Sequence, residues 1–178
     1  KDTVELDDGT SIEADLVIVG VGVVPNVSLA ETAGLAVDDG IVVDDRLRTS
    51  VPDIWAAGDV ARYPGPDNGY VRVEHWVPAQ RQGQTAAQNI LGHDVAFAVP
   101  PFFWSEHYGT RINAVGYLDG WDEQVVSGNI HEPDVLVGYR KGGAIRAVAS
   151  INRDRENLRA EVALETGDQK GLQDLTKE

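Results

Sequence analysis

Two short stretches of this 178-residue chain combine residue types that can do chemistry. The first is Gly58-Asp59, reached through Thr49-Ser50-Val51-Pro52-Asp53-Ile54-Trp55-Ala56-Ala57. A Pro-Asp turn feeds a short apolar run, and the run stops on a glycine followed by a carboxylate. That pattern reads as a buried strand handing one acidic acceptor to a point where the backbone lies bare, because glycine has no Cβ to hold a ligand away. The plainer reading is a core strand closed by an ordinary Gly-Asp turn.

The second stretch is Glu74-His75-Trp76-Val77-Pro78, which opens a helix predicted to run to Leu91 and stop at Gly92. Proline suits a first helical turn and glycine the position beyond the last. A helix start offers unpaired N–H groups and a partial positive charge, which suits it to stabilise negative charge on a bound group. Trp76 adds an aromatic face that excludes water; its plainer role is to anchor the helix in the core. His75 reads equally well as a hydrogen-bonded histidine without chemistry. His93, His107 and His131 show no ligand spacing, so no metal site is expected.

These residues need elements to position them. The chain opens with alternating residues around Asp7-Asp8-Gly9-Thr10, a hairpin signature. Asp15-Leu16-Val17-Ile18-Val19-Gly20 then reads as a strand buried on both faces of a parallel sheet. The following Gly20-Val21-Gly22-Val23-Val24-Pro25 is not a dinucleotide loop, since proline replaces the third glycine and the helix after it, 26–33, is too short. A turn-rich loop at 63–69 and a short strand at 71–73 lead into the helix at 74–91. Beyond Pro100-Pro101, a natural boundary, the spacing predicts strands at 112–117, 123–127, 135–140 and 144–151. A last helix at 154–164 is expected to put Leu158, Val162 and Leu164 on one face.

Composition excludes several classes. The formal charge of −14 argues against nucleic acid, which needs clustered Lys and Arg. Residues 1–60 carry 13 acidic and 3 basic side chains against 16 and 12 in the rest, so any acidic partner would dock on the later part. No apolar run is long enough to span a bilayer as a helix. With no cysteine there is no disulfide or thiolate nucleophile, and cytoplasmic residence is the expectation. The chain has no methionine and begins with Lys1, so a longer parent protein is expected.

The stretch 49–59 fits T-x6-A-x-G-D, and the contiguous run from Ala14 through Gly20-Val21-Gly22-Val23-Val24-Pro25, Gly34-Leu35, Asp39-Gly40-Ile41-Val42-Val43-Asp44 and Leu47-Arg48-Thr49-Ser50 keeps the order of one family. On these residues the chain resembles the two-dinucleotide-domain flavoprotein reductases. Phe102-Phe103-Trp104-Ser105-Glu106-His107-Tyr108, with Ile112, Val115 and Gly116, is similar to the start of the C-terminal interface domain in the ferredoxin- and rubredoxin-reductase branch.

The resemblance implies an α/β and α+β chain. Residues 1–15 would be a remnant of the NAD(P)-binding domain hairpin, and 16–99 the C-terminal half of a discontinuous FAD-binding Rossmann-like domain. Residues 100–166 would form a small β-rich interface domain with a terminal helix, and 167–178 a tail. It implies FAD held by Gly58 and Asp59 at the ribityl chain, with Glu74, His75, Trp76 and Val77 at the flavin ring, and Gly20 and Gly22 in the nicotinamide-side wall. It implies NAD(P)H as electron donor and an iron–sulfur carrier, ferredoxin or rubredoxin, as acceptor, with Arg62, Arg72 and Arg81 as candidates to hold that partner. No side chain need act as acid or base, because flavin supplies the chemistry. The FAD pyrophosphate loop and the NAD(P)H unit are not in this sequence, so the chain alone is expected to bind FAD weakly and be inactive without the N-terminal half. Two other readings stay open: another superfamily member, such as an NADH oxidase or a nitrite-reductase flavoprotein domain, and a non-catalytic interaction module.

Overall fold

The computed structural model describes residues 2–177; Lys1 and Glu178, the outer ends of the expected hairpin remnant and tail, lie outside the described residues. The predicted hairpin forms from β1 (Asp2–Glu5) and β2 (Ser11–Ala14), paired antiparallel with Val4 opposite Ile12. Its turn is closed by the Thr10 N–H donating to the Asp8 carboxylate at 2.9 Å.

The expected buried strand at 15–20 does not form. Residues 16–27 have no regular structure, and their aliphatic side chains face outward, Ile18 at 86% and Val24 at 90% exposure. A strand needs neighbours for its backbone N–H and C=O groups, and among the described residues no strand pairs with this run. The helix after it is a single turn and a half, α1 (Ser28–Thr32).

Around the first core the chain is tightly wound. β3 (Ile41–Val42) pairs parallel with β4 (Ala61–Pro64), which pairs antiparallel with β5 (Tyr70–Val71). Val43, Leu47, Ala56, Ala61, Tyr63, Ala86 and Phe97 are buried together, with the Tyr63 and Phe97 rings edge to face at 5.3 Å. Residues 54–57, expected as a buried strand, make one bridge between Arg48 and Trp55 and then leave the ladder. The long helix α2 (Trp76–Ile90) closes this core with Gln82, Ala86 and Asn89.

The second core is a five-stranded antiparallel sheet in the order β6-β7-β10-β9-β8, made of β6 (Phe102–His107), β7 (Thr110–Gly116), β8 (Glu123–Asn129), β9 (Asp134–Lys141) and β10 (Ala144–Ile151). Helices α3 (Asp154–Thr166) and α4 (Gln169–Leu175) bury Ala160, Ala163 and Leu172 against Val115, Leu136, Ile145 and Val148. β6 pairs with β7 over six residues, so most of the aromatic stretch 102–108, outside the strands expected from the spacing, is itself a strand. Where a tail was expected at 167–178, α4 forms, capped by the Asp168 carboxylate accepting from the Gly171 N–H.

The face of α3 that carries Leu158, Val162 and Leu164 is divided: Leu164 packs against the second core. Leu158 and Val162 point to solvent, while Asn157, Ala160, Glu161 and Ala163 face the sheet. Small residues let the helix lie close to β7 and β10, and Asn157 donates to the carbonyl of Asn113 at 3.3 Å. Polar groups with partners thus take places that hydrophobicity alone assigns to leucine and valine.

Candidate functional site

Glycine at position 58 is required by the backbone. Its φ of +84° lies in the left-handed region, and the turn lies directly on α2, since a Cβ there would stand 3.7 Å from that of Ala79. The Gly58 N–H donates to the buried Gln82 side chain at 2.7 Å, and its carbonyl accepts from the Ala61 N–H at 2.9 Å. The next residue is therefore held by its main chain.

Arg72 completes that hold. Its guanidinium donates to the Asp59 carbonyl at 3.2 Å, to the Glu74 carboxylate at 2.5 Å and to Asp39 at 3.3 Å. The Glu74 hydrogen bond, more than any other contact, pushes the Arg72 guanidinium above its ordinary value, and Asp39 adds to it against the cost of burial. Within this cluster Asp39, Glu74 and Arg72 have charged partners. The Asp59 carboxylate, exposed, makes no hydrogen bond or ion pair among the described residues.

The start of α2 is open. His75 is its N-cap in extended conformation, with φ −154° and ψ 151°, and its side chain makes no capping bond. No acidic residue lies in the first turn. Trp76 and Val77 occupy the first two helical positions, where N–H groups have no intrahelical acceptor, and Pro78 has no N–H at all. Trp76 is 74% exposed, so it does not anchor the helix in the core. The His75 ring turns the other way, edge-on to Trp104 with centroids 4.8 Å apart, with Nε2 3.3 Å from the Trp104 carbonyl.

Gly58, Asp59, Glu74, His75, Trp76 and Val77 therefore meet around one end of α2. Gly20 and Gly22 do not join them by any hydrogen bond. They lie in the exposed run, with open space where a Cβ would stand. The three arginines expected to hold a partner are all occupied within the chain: Arg62 by Asp38 at 3.0 Å, Arg72 by the cluster above, and Arg81 by Glu161 at 2.7 Å. Among the described residues no group of His, Asp and Glu is arranged to hold a metal ion, and no helix is long and apolar enough to cross a membrane.

Sequence reasoning missed Gln82. Its signal is the stripe Gln82, Ala86, Asn89 at helical spacing, small or amide residues on the face that must be buried. A buried amide among alanines marks a partner that is main chain, here Gly58 for Gln82 and Val95 for Asn89.

The comparisons with known proteins match two stretches of the chain. Residues 1–83 match the pyridine nucleotide-disulphide oxidoreductase family, and residues 102–177 match the reductase C-terminal family. Putidaredoxin reductase CamA of Pseudomonas putida is 39% identical over 151 residues, which cover 84% of this chain and 36% of that protein. Rhodocoxin reductase of Rhodococcus erythropolis is 38% identical over 164 residues, 92% of this chain and 38% of the relative. The reductase in the crystal structure of the covalent putidaredoxin reductase–putidaredoxin complex superposes with a TM-score of 0.88 at 35% identity, covering 99% of this chain and 42% of that one. The chain spans about two fifths of the length of the relatives it matches. In both matched stretches the chain is similar to the putidaredoxin-type reductases and to the pyridine nucleotide-disulphide oxidoreductase and reductase C-terminal families.

Proposed function

We propose that this chain supplies the second half of an FAD-binding domain and the C-terminal interface domain of a flavoprotein reductase that passes electrons from NAD(P)H to a ferredoxin or rubredoxin. The observation that carries this reading is the unpaired Asp59 carboxylate beside the uncapped start of α2. One group accepts hydrogen bonds from hydroxyls; the other donates N–H groups and positive dipole to a charge that grows. A polyhydroxy chain ending in a heteroaromatic ring that becomes negative on reduction needs both.

The residues present fit FAD. Asp59 would accept from a ribityl hydroxyl, Gly58 lets main chain approach, and the Trp76 and Val77 N–H groups would face the pyrimidine end of the ring. FAD, when bound, supplies the conversion of a hydride into single electrons. The chain's own part is to orient the ring, stabilise its charge and exclude water with Trp76. Residues 1–15 and 16–99 would act as the hairpin remnant and the FAD half, and 100–166 as the interface domain, with α4 extending it. Gly20 and Gly22 would reach the nicotinamide-side wall once the 16–24 run is covered by the first half of such a reductase. A cytoplasmic setting goes with this reading and with a chain free of cysteine.

The interaction-module reading predicts a self-contained surface. The exposed apolar run at 16–24 weighs against it. The match of residues 102–177 to the reductase C-terminal family favours a reductase over an oxidase.

The test pairs the chain with the N-terminal half of a putidaredoxin-type reductase and titrates FAD, then follows NADH-driven reduction of a [2Fe–2S] ferredoxin. Flavin uptake and ferredoxin reduction are expected, with Asp59→Ala weakening FAD binding about tenfold or more, as loss of a hydrogen bond to a charged group implies. No uptake by the paired chain, or unchanged uptake by Asp59→Ala, would sink the proposal.

A further inference from the structure

We infer that Gln82 and Glu161 are positioning residues for the Gly58-Asp59 turn, acting from two sides of α2; the functional meaning of that turn rests on the reading proposed above. Consecutive helical residues point about 100° apart, so Arg81 and Gln82 leave α2 toward different neighbours. Gln82 is 1% exposed, and its Oε1 takes the Gly58 N–H at 2.7 Å. Arg81 Nη1 reaches Glu161 Oε1 at 2.7 Å. The helix is thus pinned at adjacent residues, once to the turn and once to the second sheet unit.

Glu161 is placed to make the second pin hold. It is 8% exposed and sits on the face of α3 that also carries Asn157, Ala160 and Ala163. The two atoms are close but not aligned as a hydrogen bond, so their attraction is Coulombic. A carboxylate taken this far out of water is costly unless a cation stays beside it, and Arg81 is its one ion-pair partner among the described residues. Holding Arg81 against α3 holds the next residue, Gln82, at the height where it meets Gly58. Loosening α3 from α2 lets Gln82 shift, and with it the main chain that aims the Asp59 carboxylate. Glu161 touches none of the groups at the start of α2; it acts only through Arg81.

Amide hydrogen exchange on the full 178-residue chain tests this without any flavin. Gln82→Leu is expected to raise exchange at Gly58 about tenfold, the factor that goes with one hydrogen bond. Glu161→Gln, which keeps the shape and removes the charge, is expected to raise it severalfold at Gly58 while β9 and β10 stay protected. Asp168→Ala removes the α4 cap in the same unit and is expected to leave Gly58 unchanged. Unchanged Gly58 exchange in Glu161→Gln overturns the coupling, and unchanged exchange in Gln82→Leu overturns the inference entirely. An equal rise in Asp168→Ala also overturns it, because the effect would then be general loosening. Failure of FAD uptake leaves these results standing, so the two proposals fail separately.

Discussion

Leu16-Val17-Ile18-Val19 and Ala147-Val148-Ala149 are the same kind of sequence, short runs of small and β-branched aliphatics, yet one is bare and the other is core. Ile18 is almost wholly exposed, whereas Ala147 and Val148 are fully buried. The difference is in what lies alongside. β10 is paired to β9 along its length and to β7 from Ala147 on, and α3 covers it, so its ladder is flanked on both edges and one face is dry. The 16–24 run has no partner strand among the described residues. Apolar composition selects a segment for burial; pairing decides whether it becomes a strand.

The largest effects should separate these two regions. Leu136→Ala, in a fully buried side chain of β9, is expected to cost about 3 kcal/mol by lost transfer and cavity formation. Ile18→Ala should stay within about 0.5 kcal/mol, as substitutions on bare surface do. Denaturant melts of both variants give the comparison directly. Equal losses would mean that the 16–24 run is packed in solution, and the contrast would collapse.

Two glycines sharpen the same contrast because their φ angles are alike. Gly116 has φ +94° and Gly22 has φ +88°. A Cβ on Gly116 would lie 2.2 Å from the Arg146 carbonyl oxygen and 2.8 Å from the Ala147 Cα, where β7 and β10 meet. Gly116→Ala must therefore push main chain apart, with an expected cost of about 3 kcal/mol or more. Gly22→Ala meets nothing within 4 Å, leaving only the left-handed penalty of about 1–2 kcal/mol. A Gly116→Ala chain as stable as Gly22→Ala would put the β7–β10 register in error.

Much of this arrangement was legible in the residues. Gly58-Asp59 announces a turn because a glycine at the end of an apolar run marks a change of backbone direction. The limits of α2 follow from Pro78 and Gly92, whose backbone chemistry is local. Four of the five strands of the second sheet follow from alternation and turn glycines. What was not legible depends on distant partners. β6 looked like an aromatic cluster because its identity as a strand comes from β7. The places of Asn157 and Glu161 on the inner face of α3 were not legible, since they are tolerated inside through Asn113 and Arg81, residues 44 and 80 positions away. The ion pairs of Arg62 and Arg81 were not legible for the same reason: their carboxylates, Asp38 and Glu161, lie elsewhere in the chain.

The smallest effect concerns the seam between the two units. Asp67, at φ +60° in the loop between β4 and β5, accepts from Lys141 at 2.8 Å and Arg146 at 3.0 Å, at the end of β9 and in β10. The Lys141 hydrogen bond above all, then its charge and those of Arg146, hold the Asp67 carboxyl below the ordinary aspartate value of about 3.9. A depressed folded-state value means the contribution is complete above the unfolded value and disappears as pH falls through the folded one. Acid should therefore loosen this seam first below about pH 4, while the β6–β10 core, held by apolar packing, keeps its amide protection. The pair is exposed, so the change is small and high salt should imitate it. A carboxyl NMR titration of Asp67, with Asp67→Asn as reference for the seam's amides, checks the point. Titration of Asp67 at the ordinary value would mean that the two cations do not hold it in solution, and the seam would then lack this ion-paired contact.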